Sequence, residues 1–184
     1  MIGFVLLGLA VVLVLWAVAI FNGLVRRRNI VAEAWSGIET QLKRRADLIP
    51  NLVESVKGYA AHERTTFEEL ARLRSASQAG QDIAQRAQTE QAITAAIGRI
   101  MAVAEAYPQL RASENFQSLQ KDLAEVEDQI QLARRYYNGA VRDYNVMIEQ
   151  FPSNMIASSF AFSKAAFFQI ENAADRDVPK VSFS

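Results

Sequence analysis

No charged side chain occurs in the first 25 residues, and Arg26, Arg27 and Arg28 follow at once. The run Ile2 to Leu24 is built from Val, Leu, Ile, Ala, Phe and Trp16, interrupted only by Gly and Asn22. As helix, such a run reaches about 34 Å, enough to cross a hydrocarbon core of about 30 Å. The expectation is a transmembrane anchor over residues 1–25. The rival is a cleaved secretory signal, with Ala17-Val18-Ala19 as an A-x-A site. A signal peptide needs a basic stretch before its apolar run, and here only the amino terminus is available.

Orientation follows from the arginines. Basic residues flanking a membrane helix favour the cytoplasmic face, so Arg26, Arg27 and Arg28 place the short amino end outside and the rest inside. Lys43, Arg44 and Arg45 add to the bias. Ala19 and Gly23 are four apart, a small-residue pair of the kind that lets two anchors approach.

Twenty basic and twenty acidic side chains balance, and nothing points to nucleic acid. There is no Cys, which excludes disulfides, thiolate metal sites and Cys nucleophiles. The one His, His62, reads as a surface helix residue, because a zinc site needs several more ligands. No cofactor or metal is expected. No P-loop, G-x-G-x-x-G, G-x-S-x-G or H-E-x-x-H is present. Glu68/Glu69 and Glu127/Asp128 read as charged neighbours on solvated helix faces, and the chain reads as no enzyme.

Past the anchor, composition and periodicity are helical throughout. From Ser113 to Phe151, apolar residues recur at intervals of three and four: Phe116, Leu119, Leu123, Val126, Ile130, Ala133, Tyr137, Ala140, Tyr144, Met147 and Phe151. That is a heptad seam. A helix of about 58 Å results, hence an elongated bundle. Gly139, costing about 1 kcal/mol in mid-helix, marks a close helix–helix contact. A second helix over about 28–76 carries Ile30, Ala34, Ile38, Leu42, Ile49, Leu52 and Val56, with a bend from Ala46 to Pro50. A third over about 82–107 starts at Asp82 and ends before Pro108. The fold class is therefore all-α: the transmembrane helix continues into an antiparallel three-helix bundle over 26–152, with an aromatic-rich tail over 153–184.

Two groups of residues draw attention. Pro50 and Asn51 sit at the expected bend, and Asn138, Tyr144 and Asn145 lie near the seam, where amides and phenols fix helix register or else point outward. The tail carries Ile156, Phe160, Phe162, Phe167, Phe168 and Ile170. It either folds back on its own bundle or meets lipid or another subunit. Asp175 to Ser184 reads as extended or loosely held.

The chain resembles the LemA family. The resemblance rests on Gln41 to Val53 (QLKRRADLIPNLV), Val56 to Glu63 (VKGYAAHE), Ser113-Glu114-Asn115-Phe116, Arg135-Tyr136-Tyr137-Asn138, Val141 to Asn145 and Phe151-Pro152-Ser153-Asn154. It implies a bacterial plasma-membrane protein with a short outward amino end, one anchor and a cytoplasmic helical bundle. It also implies relatives linked to magnetosome membrane formation, and a membrane zinc metalloprotease as a companion. The tail around Ser159 to Phe168 is more apolar than that resemblance leads one to expect. The reading that follows is a non-enzymatic scaffold on the lipid bilayer that self-associates as a homo-oligomer; the alternative is an adaptor or regulator of a membrane-bound metalloprotease.

Overall fold

The computed structural model describes residues 1–60, 63–80 and 82–169. His62, Ile170 and the stretch 175–184 lie outside them. Every regular element among the described residues is helical. In order they are α1 (Ile2–Lys57), α2 (Arg64–Gln78), α3 (Ile83–Glu105), α4 (Pro108–Arg111), α5 (Glu114–Glu149) and α6 (Ser153–Ser159). The all-α reading is met, and the apolar N-terminal run is one helix with the charged segment that follows it. Two compact units form. One comprises Met1–Leu48 and Gln120–Phe167, the other Ile49–Leu119 together with Phe168.

In the first unit the repeat at three and four makes one side of α1 apolar: Leu24, Val31, Ala34, Ile38, Leu42 and Ala46 are buried. On α5 the buried set is Leu123, Val126, Ile130, Tyr137, Val141 and Tyr144. Each full-sized apolar side chain so buried contributes about 1.5–3 kcal/mol. The helices run antiparallel, because partner numbers fall on α5 as they rise on α1. Gly23 faces Met147, Arg27 pairs with Asp143, Trp35 lies against Tyr137, and Arg44 pairs with Glu125. Arg45 is 2 % exposed and holds Glu127 at 2.6 Å. Met147 and Phe151 depart from the expected seam: Met147 is half-buried and Phe151 exposed. Val141 takes a buried place the heptad reading gave to Ala140.

Gly139 does not mark a contact within the chain, since a Cβ there would have nothing within 4 Å. The close approach is at Gly23, whose Cβ would stand 2.7 Å from Met147 Cε.

The second unit contains the end of α1, with Ile49, Leu52 and Val56 buried. The helix expected over 28–76 is two helices. α1 passes through Pro50 unbroken and stops at Lys57; a turn at Gly58 and Tyr59 follows, and α2 starts at Arg64. Proline costs one backbone bond and a local clash, which the buried stripe on either side offsets. Gly58, with its high conformational freedom, is the cheaper place to stop. α2 and α3 are antiparallel neighbours, with Glu69 bonded to Arg99 and Ser77 to Glu90. Asp82 caps α3 as expected, accepting from the Gln85 N–H at 2.8 Å. The buried stripe of α3 is Ala87, Glu90, Ile93, Ala96, Ile100 and Ala104. Ile97 and Met101 are only half-buried. Glu90 is buried because Ser77 and Arg86 both donate to it. Pro108 closes α3 and also opens α4, where its missing N–H costs nothing.

Candidate functional site

Where α1 passes from its apolar stretch to Arg26, the first unit gathers most of the residues the sequence marked. The N-terminal part of α1 is long and apolar enough to cross a membrane, and none of that window is buried by protein. A helix apolar on every side needs an apolar medium on every side. Membrane association follows from this segment.

The three arginines divide their work. Arg27 reaches Asp143 on α5 at 3.5 Å, both side chains half in solvent. Arg28 lies over the Phe162 ring, 5.5 Å from its centroid, a cation–π contact. Arg26 and Arg27 line a groove of about 660 Å³ with Gly23, Ile30, Met147 and Gln150. Gly23 opens that groove by its lack of a side chain.

On another side of the same helix stand the tail aromatics. Phe21 meets Phe160 edge-on at 4.9 Å and Phe162 at 5.7 Å. The tail reaches them because α6 ends in a Schellman turn. Phe162 N–H donates to Ala157 O, Ala161 N–H to Ser158 O, and Ala161 takes φ 55°. Ser153 starts the excursion, its hydroxyl donating to the carbonyls of Met147 and Gln150.

Beyond the turn the chain runs back along α5. Asn145 clasps Ala165 twice: its Nδ2 donates to the Ala165 carbonyl at 3.0 Å and its Oδ1 accepts the Ala165 N–H at 2.9 Å. Tyr137 donates its hydroxyl to Ala166 O at 2.8 Å. Lys164 pairs with Glu149. Burial raises the Tyr137 phenol above its ordinary value. Burial also raises Tyr144, against the opposing charge of Arg28. The amide that the seam reading set across a helix interface thus holds a segment without regular structure instead. Nothing in helical periodicity encodes that, since a strap without a repeat leaves no spacing to read.

Asn138 is half-buried, as are Ile156 and Phe162, while Phe160 and Phe167 are exposed. Pro50, Asn51 and Phe168 belong to the second unit. Pro50 and Asn51 are both exposed, and Asn51 offers its carbonyl to the Ser55 hydroxyl at 2.7 Å. Asn51 points outward because its neighbours Ile49 and Leu52 take the buried side. Phe168 is buried. Sequence reasoning missed Arg45 as a structural residue. Its signal was position, one residue before buried Ala46 and three after Leu42. Glu90 filled the six-residue gap in the α3 stripe between Ala87 and Ile93. Among the described residues no three His, Cys, Asp or Glu side chains converge as metal ligands.

The family model for the LemA family matches residues 34–183. Magnetosome protein MamQ 2 of Paramagnetospirillum magneticum is 36% identical over 83 residues, 45% of this chain and 30% of that protein. Magnetosome protein MamQ of Magnetospirillum gryphiswaldense is 26% identical over 78% of this chain and 62% of its own length. Protein LemA of Metamycoplasma hominis is 27% identical over 85% of this chain and 72% of its own length. The match thus spans less than a third of MamQ 2. With a family model covering well over half of its residues, the chain belongs to the LemA family.

Proposed function

We propose that this protein is a non-enzymatic scaffold anchored in the bacterial plasma membrane, which self-associates and organises the bilayer beside it. The observation that carries the reading is the exposed apolar segment of α1, ended by Arg26, Arg27 and Arg28 and continuous with a packed, ion-paired helix. With no loop between span and bundle, a force or tilt on one is passed to the other. In this reading the amino end lies outside and the helical units in the cytoplasm, an orientation supported by the basic residues that flank the span. The likeness to proteins named as magnetosome proteins supports a structural role at a membrane.

Self-association has its own support. Leu132, Tyr136 and Val146 are exposed on α5. At 100° per residue they fall within an arc of about 80°. Gly139 lies within that arc, with open space beside it. A second copy pressed there would bury apolar surface and gain close backbone approach.

Light scattering on the detergent-solubilised chain tests this, with several copies per particle expected. A monomer that assembles only when a membrane metalloprotease is added would replace the scaffold by an adaptor. Sidedness is tested with Glu39→Cys in the otherwise Cys-free chain. An impermeant maleimide should label it only after cells are opened; labelling of intact cells would reverse the topology.

A further inference from the structure

We infer that the end of the first unit around α6 is a second membrane contact, an interfacial foot seated among lipid headgroups beside the point where α1 leaves the bilayer. The inference rests on the reading of α1 as a membrane span. Phe21 lies five residues before Arg26, which is about 7–8 Å along a helix axis. If the arginines mark the water boundary, Phe21 is at the level where headgroups meet acyl chains. Phe160 and Phe162 touch Phe21, so the tail is brought to that same depth.

The side chains suit it. Phe151, Met155 and Phe160 are 77, 60 and 61 % exposed, a concentration of large apolar side chains within ten residues. In water such exposure is unfavourable; at a lipid interface aromatic and apolar side chains are at home. The backbone is built to deliver them. Ala161 adopts a left-handed φ of 55°, which an alanine resists, and it is this residue that turns the chain so that Phe162 lies under Arg28. Asn145 and Tyr137 hold the chain beyond, so α6 is fixed at both ends. An anchor alone leaves a helix free to rotate and tilt. A foot at one side of the exit sets which side of α5 faces along the membrane.

The occupant is lipid, and the absence of Cys makes the test clean. Single variants Met155→Cys, Phe160→Cys and, as the solvent control on the exposed side of α1, Glu39→Cys carry the NBD fluorophore in the full chain. The carriers are vesicles of phosphatidylethanolamine and phosphatidylglycerol. Met155→Cys keeps both Phe21 contacts, so it reports even if Phe160→Cys disturbs the tail. At 155 and 160 we expect blue-shifted emission. We also expect quenching by lipid spin-labelled near the headgroup at least twofold stronger than at 39, and protection from aqueous iodide. Iodide quenching at 155 and 160 equal to that at 39 overturns the foot. Protection from iodide without quenching by labelled lipid also overturns it, and assigns the patch to protein. Alkaline carbonate extraction separates the two readings. A chain washed off the vesicles defeats the span and the foot together; a chain that stays, with 155 and 160 in water, defeats the foot alone.

Discussion

Leu13 and Leu42 are the same side chain on the same helix, in opposite surroundings. Leu13 is exposed, as are Leu9, Ala10, Val12, Val14 and Trp16 around it; Leu42 is buried in a stripe whose flanks carry Lys43, Arg44 and Glu39. One stretch of α1 has no polar face, and the other has polar residues on every side but one. Backbone geometry does not distinguish them. What differs is the surroundings that suit the side chains: an apolar medium on every side for the first, α5 against the second.

Paired truncations break or confirm that contrast. Leu42→Ala removes buried methyls and leaves a cavity, so we expect a loss of about 2–5 kcal/mol of stability. At about 2–4 °C per kcal/mol, the thermal midpoint in detergent, followed by circular dichroism, should fall by at least 4 °C. Leu13→Ala should leave that midpoint nearly unchanged, within about 0.5 kcal/mol. Equal losses would mean that the N-terminal stretch packs on protein.

The next contrast lies among the arginines. Arg27 and Arg44 hold their acids on the surface, where an ion pair contributes about 0.2–1 kcal/mol. Arg45 is buried, and its partner Glu127 is a third exposed. Removing one member of a fully buried pair costs about 3–5 kcal/mol. With Glu127 still wetted, Arg45→Ala should cost about 2–3 kcal/mol, against under 1 for Arg44→Ala. The double variant Arg45→Met/Glu127→Leu should recover most of the loss, because it removes the desolvated charges together. If Arg45→Ala costs no more than about 1 kcal/mol in chemical denaturation, as expected of Arg44→Ala, its ion pair behaves as a surface pair and Arg45 has no part in packing.

That run shows how far the sequence could be read. The stripe Ala34, Ile38, Leu42 and the seam Leu123, Val126, Ile130, Tyr137 were legible, because a period near 3.6 is a property of the chain itself. Asp82 was legible as a cap because capping is local. Arg45 was not, since its charge said surface while its position said core, and only a partner 82 residues away decides between them. The break after Lys57 was hidden by Pro50, a stronger helix breaker that tertiary burial overrides. The strap from Phe162 to Ala166 had no period, and Asn145 gave no hint of whether it would meet a helix or an irregular segment.

The strap offers a smaller effect with a pH signature. Tyr137→Phe removes one hydrogen bond to Ala166, worth about 0.5–1.5 kcal/mol. Burial holds the folded-state phenol above its ordinary value near 10. Below pH 10 both states are neutral and the full contribution is present. As pH rises past 10 the unfolded chain ionises first, so stability falls until the raised folded value is passed. Tyr144 acts in the same direction and is common to both proteins. The wild type should therefore lose its advantage over Tyr137→Phe across the alkaline window that opens above pH 10 in urea denaturation. A constant difference across that window would mean that Tyr137 is not shielded from water.

The smallest expected effects come from two opposite exchanges. Gly139 sits in mid-helix with room for a Cβ, so Gly139→Ala should stabilise the fold by about 0.5–1 kcal/mol. Ala161 holds a left-handed φ, which costs an L-residue about 1–2 kcal/mol. Ala161→Gly relieves that strain but gives the unfolded chain more freedom, worth about 0.4–1 kcal/mol, and should stabilise by about 0.5–1 kcal/mol net. A helix and a Schellman turn thus ask for opposite residues, and each position here holds the less favourable one. If Gly139 is kept for close approach by a second copy, Gly139→Ala should raise the thermal midpoint while lowering the copy number seen by light scattering. A raised midpoint with assembly unchanged would remove α5 around Gly139 from the self-association surface and leave the contact to be sought elsewhere.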